Sequence, residues 1–219
     1  MFATKVTSLV ATLLLVVNSV SATPVDLVER AACNKVDYGP FRLYAAPAND
    51  PTAEPLLLKL IDLYTPRPTN DTIQALSICP ADDCGHTPSY WELKDKVLYA
   101  VYAGGQEGYS TVNKPVVADA EVRFVNSDDA SIAGQLAPEW CAVRQPGTTN
   151  GLPGYLSVLG SAEEFSYCTN IPWVGTPERA DIQYKADTTN EEVEQYCTKV
   201  HLVIQSIGII AEPIPDTEV

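Results

Sequence analysis

Histidine is almost missing from this chain: His86 and His201 are the two in 219 residues. Lysine and arginine are scarce as well, 14 against 28 aspartates and glutamates, for a net charge of −14. Basic residues this few and this scattered lack the footprint of nucleic-acid binding, and the acidic balance repels phosphate backbones. The acids are spread along the chain and form no tail, so they read as a solvated surface that keeps the chain soluble. No later segment approaches the roughly 20 apolar residues of a membrane helix. Ile207 to Ile210 is the nearest to an apolar tail, and Glu212, Asp216 and Glu218 follow it, unlike the ending of a lipid-anchor signal. There is no G-x-S-x-G elbow and no second Cys/His pair at zinc spacing. These gaps leave no nucleic acid, membrane or cofactor among the expected partners.

What is present concerns place before activity. Lys5, the apolar run Leu9 to Val17 and the small-residue site Val20-Ser21-Ala22 mark residues 1–22 as a signal peptide. Residues 23–30, ending in Glu29-Arg30, read as a pro-segment trimmed by a basic-site protease. The remainder, 219 − 30 = 189 residues (31–219), suits a single secreted domain that buries roughly 70 % of its unfolded surface. All six cysteines, Cys33, Cys79, Cys84, Cys141, Cys168 and Cys197, lie behind the leader. An even count in a secreted chain reads as a disulfide framework. Connectivity does not follow from sequence, although the tight spacing favours Cys79 with Cys84.

Helical signals are few, and short alternating runs between turn residues read as an all-β domain. Phe41 to Ala45, Ala120 to Val125, Trp140 to Val143, Tyr155 to Gly160, Phe165 to Cys168, Asp181 to Lys185 and Lys199 to Gln205 are strand candidates. Leu56 to Tyr64 fits either a strand or a helix. Tyr90 to Ala103 reads as a hairpin about Asp95-Lys96, with Trp91, Leu93, Val97, Tyr99 and Val101 sharing one parity. Lys is a poor second residue for a two-residue turn, because its Cβ resists positive φ, so a longer loop or a bulge stays open. Asn190 to Tyr196 favours one or two helical turns, and Gln145 to Gly154 is a loop. The number of short strands suits a β-trefoil-like single domain, with a β-sandwich as the alternative. A faint echo between the Trp91 block and the Leu156 block leans toward the trefoil.

Candidate chemistry is thin. Asn70-Asp71-Thr72 in a proline-rich loop is an N-glycosylation sequon. Asp82, Asp83, Cys84 and His86 could ligate a metal on paper, yet Cys84 is better used in a disulfide, and no metal site is assigned. His201 shares a strand face with Val203 and Gln205. Glycoside hydrolysis needs a carboxylate pair across a cleft. Among Asp82, Asp83, Glu92, Asp128, Asp129, Glu163 and Glu164 nothing selects one, so no residue is assigned as catalytic. Tyr99, Tyr102 and Tyr109 could form a glycan-stacking face, although alternating aromatics on strands more often fill a core.

Four blocks carry a family resemblance across nearly the whole mature chain. They are Phe41-Arg-Leu-Tyr-Ala, Ser89-Tyr-Trp-Glu-Leu-Lys-Asp-Lys-Val-Leu-Tyr-Ala, Tyr155-Leu-Ser-Val-Leu-Gly with Phe165-Ser-Tyr-Cys168, and Asp181-Ile-Gln-Tyr-Lys-Ala before Cys197. In these the chain resembles the secreted fungal cell wall proteins of the phialide-associated (PhiA) type. The resemblance implies a non-catalytic, glycosylated wall protein acting in asexual sporulation, in phialide and conidium development, and it brings no catalytic residues. Wall polysaccharide or other wall proteins are then the expected partners. The glutamine-bearing repeats that yeast wall proteins use for covalent attachment to glucan are absent. The alternatives are a secreted carbohydrate-binding module or host-directed effector or antigen, and then a hydrolase.

Overall fold

The computed structural model describes residues 33–50, 52–66, 71–79, 84–145, 153–169, 179–187, 189 and 195–208. The expected leader and pro-segment, Asn70 of the sequon, Asp82, Asp83, Trp173 and residues 190–194 of the expected helical turns lie outside them. Within the described residues the chain forms β1 (Tyr38–Pro47), β2 (Leu56–Tyr64), β3 (Thr72–Ile78), β4 (Tyr90–Lys94), β5 (Val97–Val101), β6 (Tyr109–Asn113), β7 (Ala120–Glu121) and β8 (Arg123–Asp128). A single helical turn, α1 (Asp129–Ile132), precedes β9 (Trp140–Arg144), β10 (Pro153–Val158), β11 (Phe165–Thr169), β12 (Ala180–Tyr184) and β13 (Cys197–Ser206).

The domain is all-β, as the alternating runs require. Its strands form one continuous sheet, which runs β1-β4-β5-β6-β8-β3-β12-β11-β13 and returns to β1, closing a nine-stranded barrel. Closure removes the exposed edges that an open sheet leaves. β2 joins β1 to β3 directly, and β9 and β10 extend from β13. The first and last long strands, β1 and β13, pair over seven registered positions from Phe41↔Ser206 to Pro47↔Val200. The ambiguous Leu56–Tyr64 run is a strand, held by pairing with β3 from Leu58↔Ile78 to Tyr64↔Ile73 with a bulge at Leu63. Local sequence could not choose there, and cross-strand pairing does.

The hairpin of β4 and β5 is as tight as geometry allows. Lys94 pairs with Val97, and Asp95 and Lys96 both take positive φ, 48° and 65°. Tertiary bonds hold this unfavourable conformation. Asp95 N–H donates to Asp37, Lys96 N–H donates to the Val36 carbonyl, and the Lys96 carbonyl accepts from Trp140 N–H. A two-residue turn also breaks the parity read from the sequence. Trp91 pairs with Ala100 and Leu93 with Leu98, so those four share the inner face. Val97, Tyr99 and Val101 go instead with Glu92 and Lys94 to the outer face.

Inside, Phe41, Leu43, Leu58, Leu60, Leu76, Trp91, Phe124, Trp140, Phe165 and Leu202 belong to one buried cluster. Each fully buried large side chain contributes about 1.5–3 kcal/mol of transfer free energy. Trp91 meets Phe124 edge-on at 5.4 Å, and Trp140 stacks on Phe165 at 5.8 Å. A smaller cluster on the outside gathers Ile73, Val97, Val112, Val125 and Ile132 beneath α1.

All six cysteines are in disulfides: Cys33–Cys141, Cys79–Cys84 and Cys168–Cys197. They span 108, 5 and 29 residues. On the chain-entropy account these are worth about 5, 2 and 4 kcal/mol respectively.

Candidate functional site

The inward rows of five strands change character along their length, and the change falls at the same end of the barrel. In β2 the row reads Leu58, Leu60, Asp62; in β3, starting from the core, Leu76, Gln74, Thr72. The row through Val122 and Phe124 ends at Asn126 of β8. In β5 Leu98 and Ala100 lead to Tyr102, and in β6 Thr111 leads to Tyr109. Because alternate residues share a face, each row leaves the apolar core and meets the rim as a polar or phenolic side chain. Pairings of Gln74 with Phe124 and Thr72 with Asn126 keep the rows level. The result is a polar mouth over a largely apolar interior, a place where small ligands commonly sit in β-barrels.

Two adjoining hollows meet at this mouth and share Tyr102, Gly105 and Asn126; the smaller lies over the inward rows, and the larger reaches past the rim to the outer face that carries Glu92, Lys94 and Tyr99. The larger, about 480 Å³, opens where β5 and β6 part after the Tyr99↔Val112 and Ala100↔Thr111 pairs. Tyr99, Tyr102 and Tyr109 all line it, together with Glu92, Lys94 and Gln106. The three tyrosines singled out from the sequence are thus brought to one hollow, although they also pack. Tyr102 lies against the main core and Tyr99 against the outer cluster. The connection between β5 and β6 is shaped by Gly104 and Gly108, whose φ values of 72° and 77° suit glycine. Gly105 N–H closes that turn on the Tyr102 carbonyl at 3.1 Å, and Ala103 N–H donates to Ser89.

Charge in the larger hollow cancels. The Lys94 ammonium donates to Glu92 and sits 5.6 Å from the centre of the Tyr99 ring. The bond to Glu92 raises the Lys94 pKa above its ordinary value, so Lys94 is a committed cation with a committed partner. Burial raises the Tyr99 pKa too. Stacking surface without net charge suits a neutral ligand.

The smaller hollow, about 250 Å³, is lined by Asp62, Thr72, Gln74 and His86 besides the shared residues. Asp62 accepts from Gln74 Nε2 at 2.8 Å and lies 3.5 Å from His86 Nε2. His86 reaches this place through a clamp. The Cys79–Cys84 disulfide closes its loop, and His86 exchanges two backbone hydrogen bonds with Leu60, at 2.7 and 2.9 Å. Between them Gly85 has φ 74°, and a Cβ there would lie 2.8 Å from the Leu60 carbonyl oxygen and from Ile61. Gln74 is 4 % exposed, yet among the described residues its Oε1 has no hydrogen-bond partner, and the Tyr102 hydroxyl is likewise buried without one. Burial, with the Asp62 charge nearby, pushes the Tyr102 hydroxyl well above the usual tyrosine range, so it stays protonated.

The other candidates have structural uses. Cys84 is in a disulfide, which removes the thiolate from the metal set considered with His86. Asp128 caps α1 by accepting from Ser131 N–H and Oγ, and these bonds lower its pKa. Asp129 accepts from Ser110. Glu163 and Glu164 border a different, shallow hollow with Lys185 and Lys199. His201 is a half-buried strand histidine, stacked 4.7 Å from Tyr155 and 3.7 Å from Glu163. Asp62, Gln74 and Asn126 do not stand out in the sequence as site residues. Their one visible signal is a polar residue ending an alternate apolar row, and this becomes readable only when strand direction is known.

Searches against protein-family models, curated proteins and solved structures find no match to this chain.

Proposed function

We propose that this chain is a secreted, non-catalytic fungal cell wall glycoprotein that works by binding neutral glycan at the mouth of its barrel. The observation that carries the reading is the convergence of Tyr99, Tyr102 and Tyr109 on one charge-compensated hollow. Phenolic faces stack on the apolar faces of sugar rings, while Gln106, Ser110 and Asn126 offer hydrogen-bonding groups. Three formed disulfides favour an oxidising, extracellular setting. The resemblance to phialide-associated wall proteins supports a role during asexual sporulation, with wall polysaccharide as the partner.

A trefoil form of the barrel fits the same picture. Three successive runs, β1–β4, β5–β9 and β10–β13, each pair their middle long strands, β2 with β3, β6 with β8 and β11 with β12. The runs join through β4–β5, β9–β10 and β13–β1. First and last strands pair in the outer two runs, and the Trp140 N–H to Lys96 carbonyl bond bridges them in the middle one. An experimental structure whose three runs fail to superpose would overturn this form.

The functional test is retention on insoluble fungal β-glucan, mannan and chitin, with cell fractionation beside it. Binding to at least one polymer is expected, with loss on Tyr109→Ala or Tyr99→Ala. No retention on any polymer, together with protein found solely in culture fluid, would refute the reading.

A further inference from the structure

The two unpaired polar atoms of the mouth point to what the smaller hollow takes. A buried acceptor without a partner carries a desolvation cost, which disappears when a ligand supplies the missing donor. Gln74 Oε1 is such an atom, on a side chain 4 % exposed that lines the hollow, while its Nε2 is already spent on Asp62. The Tyr102 hydroxyl is a second atom without a partner, on the wall that the two hollows share. Asp62 adds a half-exposed carboxylate with lone pairs to spare. The hollow therefore offers the Gln74 and Asp62 acceptors beside a Tyr102 hydroxyl that can both accept and donate, and it suits a ligand with several hydroxyls on a small frame. Its volume of about 250 Å³ lies below the roughly 300–1,000 Å³ of drug-sized pockets, which suits one ring. Tyr102 is a wall common to both hollows, so a chain with one ring in the smaller hollow continues directly into the tyrosine-lined one.

We propose that the mouth of the barrel is an end subsite that holds the terminal ring of a neutral hexopyranose chain, whose hydroxyls donate to Gln74 Oε1, the Asp62 carboxylate and the Tyr102 oxygen. The remainder of the chain leaves across Tyr109 and Tyr99. Chemistry sets the class. A uronate or phosphate would bring its negative charge to the Asp62 carboxylate, and among the described lining residues the sole basic side chain is His86, already 3.5 Å from that carboxylate. A neutral polyol meets every acceptor without a charge penalty. This inference rests on the glycan-binding reading above and adds the position and polarity of the end.

Calorimetric titration of the intact, oxidised protein tests it with linear hexasaccharides of β-glucan, mannan and chitin, a cyclic oligomer of whichever sugar binds, and oligomers of glucosamine and of a uronic acid. At least one neutral linear hexamer should bind, and its cyclic form, having no end, should bind at least tenfold more weakly. Tyr102→Phe deletes a hydroxyl that no group among the described residues uses. It should weaken binding about five- to tenfold while the melting temperature of the free protein holds or rises. Gln74→Met should weaken binding at least as much. Equal affinity in wild type and both variants, or equal binding of the cyclic form, overturns the end subsite and leaves the glycan reading standing. Tighter binding of the uronate or glucosamine oligomer overturns the neutral class. A wild type that binds none of the probes overturns both readings.

Discussion

Strand β3 carries two buried polar side chains three residues apart, Gln74 and Ser77, and they have opposite fates. Ser77 points outward, where its hydroxyl donates to Asp181, itself held by Arg179 through two bonds of 2.8 Å. Asp181 is 1 % exposed. A buried carboxylate gripped this way is closed to visitors: it fixes β12 against β3 at the Asp181↔Ser77 pair. Gln74 points inward along the row of Leu76, reaches the rim, and spends one end of its amide on Asp62 while the other stays unpaired. Equal burial thus means different things. The saturated cluster supports the barrel, and the unsaturated one opens toward a hollow.

Perturbing the two clusters separates those roles. The largest effect belongs to Asp181→Ala, which strands the Arg179 guanidinium in a nearly buried site. Loss of about 3–5 kcal/mol is expected in urea unfolding, with glycan retention intact in the folded fraction. If Asp181→Ala left stability unchanged, the two clusters would not differ as argued. Gln74→Met should do the reverse, staying within about 1 kcal/mol of wild type in the same unfolding experiment. It forfeits the bond to Asp62 but also removes an unpaired buried acceptor. A loss like that of Asp181→Ala would make Gln74 a structural residue and erase the contrast.

Titration sharpens the comparison further. Burial raises the pKa of Tyr99, Tyr102, Tyr155 and Tyr184. A group whose folded pKa is raised has its stabilising contribution in full below the unfolded value of about 10, and loses it as pH climbs through the folded value. Melting temperature should accordingly fall on the alkaline side of pH 10, and Tyr102→Phe should flatten that limb. A fall equally steep in the variant would show that the mouth tyrosine does not contribute. The smallest effect lies at the acid end. Asp128, its pKa lowered by the cap bonds to Ser131, stabilises above the unfolded carboxylate range, and that contribution goes as pH drops through the lowered value. Asp128→Asn keeps an N-cap acceptor, so it should change the acid limb of the melting curve and leave neutral pH nearly untouched.

Much of the scaffold was legible in the sequence. Alternation over Tyr90 to Val101 marks a hairpin, and its turn residues lie where Asp95 and Lys96 are found. The parity of the run breaks there for a plain geometric reason. A two-residue turn reverses the chain so that odd and even positions meet, which sends Tyr99 outward beside Glu92 and brings Leu98 inward beside Leu93. The mouth was scarcely legible. Tyr99, Tyr102 and Tyr109 stood out as aromatics, whereas Gln74 looks like an unremarkable residue in a short run and Asp62 like one acid among many.

The sequence by itself determined the all-β character and the competence for three disulfides, because alternation and an even set of cysteines are local or countable properties. It also carried the polar ends of the apolar rows, written into Leu58-x-Leu60-x-Asp62 and Val122-x-Phe124-x-Asn126. Tertiary structure alone decided that these ends coincide. Barrel closure aligns strands that lie far apart in the chain, and the register between them sets which rims are level. That alignment brings Asp62, Gln74, His86 and Tyr102 to one hollow. It also turns Ser77, on the same strand, toward Asp181 and away from that hollow.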